Sequence, residues 1–190
     1  MSNIFRENNP QRSYTGKELS HYRKYKDILR IDFNRRCGYT DCPDFWFGGK
    51  TNFHIDHFLP KSKYPQLETV YNNLVYSNPF VNIAKKDDEG DYLDPVENDY
   101  NEHFFRDEFG NILPNNESEP AKYMYIKLKL YLKKYGIIWM LDNIDKKINL
   151  LSDKINGLPE ADVKVELLQL YFELNEEFRK YKQYLEVELD

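Results

Sequence analysis

Along residues 16–36 (GKELSHYRKYKDILRIDFNRR), the apolar positions Leu19, Tyr22, Tyr25, Leu29 and Phe33 recur three to four apart, with a basic face opposite. That spacing predicts one helix. Residues 37–53 (CGYTDCPDFWFGGKTNF) mix Gly, Pro and aromatics, which predicts a knuckle leading into the first strand of a short hairpin. FHIDHFLP then predicts a strand that stops at Pro60. ETVYNNLVYSNP reads as a loop whose Asn73, Leu74 and Val75 dock on the hairpin, and NPFVNIAKK opens a short helix with Pro79 in its first turn. From Asp87 to Pro120 the chain is acidic and rich in Asn, Pro and Gly, an irregular excursion packed by Tyr92, Phe104 and Phe109. The helical period returns at Ala121. One long or broken helix is expected to be interrupted near Gly136, and another follows a Gly-Leu-Pro stop, with Leu167, Leu170, Tyr171 and Leu174 as its core face. The chain shows no internal repeat and no low-complexity tract.

These elements predict an α+β chain, mostly α, arranged as one compact unit. An arm and helix occupy 1–36, a small ββα core 37–88, the acidic excursion 89–120 and a helical region 121–190. With 190 residues, 41% of them hydrophobic, the chain can bury a sizeable core. It has no run of about twenty apolar residues, and MSNIFRENNPQRSYTG lacks the apolar stretch of a secretion signal. A cytoplasmic protein without membrane contact is expected. The net charge of −5 is unevenly spread: 14 basic against 8 acidic residues through Lys86, then 13 against 24. The front half can therefore meet a polyanion, whereas the acidic remainder suits a protein partner or solvent.

The chemistry concentrates in HIDHFLPKSKYPQLETVYNNLVYSNPFVN, residues 54–82. A ββα order brings His57, at a strand end, opposite Asn82, at a helix start. A neutral imidazole can take a proton from water, which makes His57 a candidate general base. Asp56 and the side-chain oxygen of Asn82 are hard ligands suited to one magnesium or manganese ion. Asn73 could hold the imidazole in the tautomer that leaves its other nitrogen free. His54 shares a strand face with Asp56, as a metal neighbour or a supporting donor. Loop lysines are often simply solvated, but Lys61, Lys63, Lys85 and Lys86 lie close to the site and are expected to grip phosphates beside the cut. His103 reads as a local hydrogen-bonding residue.

His54, Asp56 and His57, followed by Pro60 and Ser62, then Asn73-Leu74-Val75, then Asn82 with Lys85 three residues on, resemble the HNH endonucleases of ββα-metal fold. The resemblance covers roughly residues 35–88. It implies His57 as general base, Asp56 and Asn82 as ligands of a divalent metal, and Asn73 as support for His57. A longer likeness runs through PKSKYPQLETVYNNL, YLDPVEND and EHFFRDEFGNILP to the HNH subunit of Septu-type anti-phage systems. This implies nucleic acid as substrate, DNA by default with RNA as the other choice, and an ATPase subunit as partner.

The chain departs from that pattern at its cysteines. Cys37 and Cys42 stand where many HNH proteins place the first of two zinc-binding pairs, but Asn78 and Val81 occupy the positions of the second. No four-cysteine site can form, so no structural zinc is expected; a pair completed by His54 or His21 is the lesser alternative. Tyr39, Phe45, Trp46, Phe47 and Phe80 are expected to hold the knuckle by packing instead. Two rival functions remain: a non-catalytic subunit that binds partner and nucleic acid through a degenerate HNH core, and a zinc-binding adaptor. The 16 Tyr and 12 Phe residues could supply a docking face for a protein.

Overall fold

The computed structural model describes residues 3–158 and 162–189. The fold is α+β, with about half of the residues helical and two small antiparallel sheets. The chain forms two compact units, Met1–Leu132 and Lys133–Asp190, so the division falls after Leu132 rather than at the expected boundary near 121.

The first unit is organised around a hairpin. Strand β2 (His54–His57) pairs with β3 (Leu74–Ser77), His54 opposite Ser77 and His57 opposite Leu74. Helix α2 (Pro79–Lys85) follows directly, because Asn78 accepts a hydrogen bond from the Val81 amide as N-cap and Pro79 presets the first turn. The ββα order is present, but its strands differ from the expected ones. The segment read as a docked loop is β3, and the hairpin strand placed within 37–53 is absent. Instead, a 3-10 turn at Asp44–Phe47 ends at Gly48 and Gly49, both with positive φ, where a side chain would be strained.

The helix predicted over 16–36 is shorter. A 3-10 turn at Tyr22–Tyr25 is capped by His21, whose Nδ1 accepts from the Arg23 amide at 3.1 Å, and leads into α1 (Lys26–Asp32). Left-handed Asn34 and Arg35 then turn the chain away. A second sheet joins β1 (Asn3–Ile4), β4 (Phe104–Arg106) and β5 (Ile112–Pro114), with β4 central. The acidic excursion is therefore partly ordered, and α3 (Tyr100–His103) precedes β4. Phe104 is buried and Tyr92 half-buried, whereas Phe109 lies exposed at the tip of the β4–β5 turn rather than packing it.

Two buried arginines tie this sheet to the knuckle. Arg106 donates to the carbonyls of Phe5, Gly110 and Thr40, and Arg6 to those of Pro95 and Gly38. Gly38 itself is enclosed: a Cβ there would lie 2.8 Å from both Phe33 and Val75. Gly38→Ala is expected to destabilise the fold by about 1–3 kcal/mol through overpacking. Urea unfolding tests this, and an unchanged midpoint would refute the overpacking.

In the helical region, α4 (Glu119–Lys127) is capped by Ser118 and ends in an irregular turn at 128–132. Helix α5 (Lys133–Gly157) carries Gly136 inside it, so the interruption falls before, not at, that glycine. Leu141, Ile144, Leu151 and Ile155 form a buried stripe on α5, which packs beside α6 (Asp162–Leu189). On α6, Leu167, Tyr171 and Leu174 are half-buried, but Leu170, expected in the core, is exposed. The Leu-Pro part of the stop extends to Pro159, outside the described residues. No helix among the described residues is long and apolar enough to cross a membrane.

Candidate active site

Strand alternation places His54 and Asp56 on one face of β2 and His57 on the other. Helix α2 covers the first face. Asn82 and Lys85, one turn apart, meet His54 and Asp56, two residues apart: Asn82 Nδ2 lies 3.0 Å from His54 Nδ1, and Lys85 Nζ lies 3.2 Å from Asp56 Oδ2. His57 turns instead toward the loop that follows β2.

His57 is buried, and its Nε2 lies 3.0 Å from the Glu68 carbonyl. A carbonyl oxygen only accepts, so Nε2 carries the proton, and in the neutral ring Nδ1 keeps its lone pair. Nδ1 has no hydrogen-bond partner among the described residues. Tyr22 packs edge-on against the imidazole at 4.8 Å. Burial lowers the pKa of His57 below the ordinary imidazole value, opposed by the Glu68 carbonyl and by Asp56. The ring is thus held neutral, with Nδ1 as its basic nitrogen.

The group that orients the imidazole is not the one anticipated. Asn73 does not hydrogen-bond the ring. Its Oδ1 accepts from the Leu59 amide at 2.8 Å, and its Nδ2 donates to the carbonyls of Leu59 and Leu67. Asn73 therefore pins the exit of β2 to the segment before Glu68, and reaches His57 only through that loop. A backbone carbonyl has no sequence signature, so Glu68 could not have been picked out beforehand.

Asp56 is almost wholly enclosed. Tyr39 donates to Oδ2 at 2.6 Å, and the ammonium of Lys85 bridges the carboxylate and the His57 carbonyl, the latter at 2.7 Å. Burial pushes the Asp56 carboxyl above its usual range, while Lys85 and Tyr39 pull it down. Lys85 is fully buried. It thus neutralises Asp56 and cannot belong to a phosphate-contacting surface, as its sequence position had suggested. Of the other three lysines, Lys61 pairs with Glu68 at 2.9 Å and lies over the Tyr22 ring at 4.8 Å. Lys63 pairs with Glu89, and Lys86 is exposed at the end of α2.

Asp56 and Asn82 fit a hard divalent cation in donor type. Asn82 Oδ1 accepts no hydrogen bond among the described residues, and a carboxylate offers more lone pairs than Tyr39 and Lys85 engage. The buried ammonium is the competing charge, and a cation must share Asp56 with it or displace it. No group of three or more His, Cys, Asp or Glu side chains suited to a metal occurs among the described residues.

The knuckle is closed by hydrogen bonds. Cys37 and Cys42 are buried thiols that are not joined in a disulfide. Asn78, at one of the positions expected for a second cysteine pair, donates through its backbone and side-chain nitrogens to Cys37 Sγ, each at 3.4 Å, and through Nδ2 to Thr40 Oγ1. Burial raises the Cys42 thiol to about 12, which keeps it protonated. Of the aromatics expected to pack here, Tyr39 is buried and Phe47 meets Phe53 and Phe80, but Phe45 is largely exposed. His103 bonds Ser118 at 2.8 Å, apart from this site.

Comparison with protein-family models, with curated proteins and with solved structures returned no match.

Proposed function

We propose that this chain is a metal-dependent endonuclease of the HNH type, hydrolysing phosphodiester bonds of DNA by default, with RNA as the alternative substrate. The observation that carries the reading is the neutral, buried His57, locked by the Glu68 carbonyl with Nδ1 free, on the same hairpin-helix unit that sets Asp56 and Asn82 along one seam. His57 Nδ1 takes a proton from water as the water oxygen attacks phosphorus and the bond to the 3′-oxygen breaks. The Glu68 carbonyl keeps the ring in the basic tautomer, and Asn73 keeps the Glu68 loop against β2. A magnesium or manganese ion held by Asp56 and Asn82 would stabilise charge on the phosphate and on the leaving oxygen. The basic front half of the chain favours approach of a polyanion.

The proposal extends to context: a nuclease subunit of an anti-phage defence complex, acting with an ATPase. The acidic C-terminal half supports a protein partner, as do Val165, Leu168 and Phe172, exposed apolar residues three and four apart on α6. One observation favours the rival, non-catalytic subunit: Asp56 is already satisfied by Tyr39 and Lys85.

The deciding experiment exposes plasmid and total RNA to the purified chain, with and without its genomic neighbour, in magnesium, manganese or chelator. Metal-dependent cutting is expected. A folded protein that binds its neighbour but cuts neither substrate under any condition would overturn the nuclease in favour of the non-catalytic subunit.

A further inference from the structure

A cavity of about 360 Å³ opens beside β2, and none of the lysines that the sequence suggested for phosphate contact lines it. Arg23, Lys26, Thr51, His54 and Asn82 line it, and Tyr22 and Phe53 supply aromatic walls. We propose that this cavity is a phosphate-binding site for a nucleic-acid strand, with Arg23 and Lys26 as the anion-binding pair.

The first support is uncompensated charge. Arg23 and Lys26 lie three residues apart across the junction of the 3-10 turn with α1, so they share a face. Neighbouring cations have carboxylate partners: Lys50 pairs with Asp27, Arg30 with Asp44 and Lys61 with Glu68. Arg23 lies over the Tyr22 ring, and Lys26 donates to the Thr51 carbonyl at 3.3 Å; neither forms an ion pair with a carboxylate among the described residues. Burial, then the nearby Lys50, lower the Lys26 pKa against an opposing pull from Asp27, whose carboxylate is engaged by Lys50.

The second support is the lining. It contains no carboxylate. His54 Nδ1 faces Asn82 Nδ2, a donor, which places the proton of the neutral His54 ring on Nε2. Guanidinium, ammonium, imidazole N–H and the Thr51 hydroxyl give a donor-rich wall of the kind that tetrahedral phosphate oxygens require.

The third support is size and position. The cavity is far larger than a bare phosphate and can admit the attached sugar, while Tyr22, one of its walls, also packs edge-on against His57. A strand whose phosphate sits on Arg23 and Lys26 therefore runs past the candidate base. The choice of a polymer over free phosphate rests on the nuclease reading; the anion site itself does not.

The test uses the full chain in chelator, so that nothing is cut. A fluorescent single-stranded oligonucleotide is titrated into the wild type, Arg23→Gln/Lys26→Gln, and the charge-matched control Lys17→Gln/Lys24→Gln. At fixed salt, loss of two phosphate contacts is expected to weaken binding about tenfold or more, with the control much closer to wild type. In parallel, the Thr51 backbone and Asn82 side-chain amide signals are followed by NMR during titration with the oligonucleotide, a nucleoside monophosphate and inorganic phosphate. Equal affinities for the two double variants would overturn the site. Shifts at equal affinity for all three probes would overturn the polymer assignment. Cleavage in magnesium that survives Arg23→Gln/Lys26→Gln unchanged overturns the site and spares the nuclease. Binding that depends on Arg23 and Lys26 without any cleavage does the reverse.

Discussion

His57→Ala is expected to lower the cleavage rate by about two to four orders of magnitude, the usual contribution of a positioned general base. The expectation rests on the free Nδ1 and on the Glu68 carbonyl that fixes the proton to Nε2. Because the ring is buried against Tyr22, the alanine variant also leaves a small gap, so His57→Asn, measured beside it, separates loss of the base from loss of packing. Both should be inactive while melting cooperatively. The pH profile gives a second readout. Burial lowers the His57 pKa, so the reactive neutral form persists below the ordinary imidazole value. Activity should hold through neutrality and fall only as the pH drops beneath about 6.5, with a titration of His57 that matches the acid limb. A limb above that value would contradict the buried, carbonyl-locked imidazole. Stability has the same sign: between the depressed folded pKa and the ordinary value the unfolded state binds more protons, so this residue's contribution is lost as the pH falls.

The same residues show how far the sequence alone could reach. The β2 and α2 positions of Asp56, His57 and Asn82 were legible because strand alternation, Pro60 and the Asn78-Pro79 start of α2 each have a local physical cause, but Asn82 meets His54 rather than His57, which lies on the other face of β2. Strand β3 was not legible, because Leu74–Ser77 is buried at all four positions and shows no alternation. The over-long first helix followed a true apolar period but ignored His21, whose side chain caps a turn that starts at Tyr22, well after Gly16. The break near Gly136 was misplaced because a buried glycine inside α5 is tolerated, while the turn at 128–132 includes left-handed Lys129, which carries no glycine to betray it. The orienting group at Glu68 is a carbonyl, common to every residue. The burial of Lys85 has a partial signal, since it falls one turn after Asn82 on the face that α2 turns to β2, but a lysine at a helix end is ordinarily solvated.

Lys85→Met is the substitution expected to cost most in stability. The wild-type ammonium is fully buried between Asp56 and the His57 carbonyl. Removing one partner of such a pair leaves a buried charge uncompensated, at a cost of about 3–5 kcal/mol. Methionine keeps the side chain's length and apolar stem, so the loss reports charge and hydrogen bonding rather than a cavity. Two controls give the prediction its sign. Asp56→Asn combined with Lys85→Met removes both charges and should recover much of the loss. Lowering the pH should also reduce it, because Asp56 already has a raised carboxyl pKa, and without Lys85 the fold favours its protonated form still more. Between the ordinary carboxylate value and that raised pKa the folded state binds the extra proton, so stability declines as the pH rises through this window. Equilibrium urea unfolding at two pH values measures all three effects. A Lys85→Met protein as stable as wild type at neutral pH would mean that Asp56 does not need the ammonium, leaving its carboxylate open to a divalent ion without competition. A large loss that the double variant repairs would mean that Lys85 holds the locus in the resting protein, and that metal binding must work against a buried ammonium.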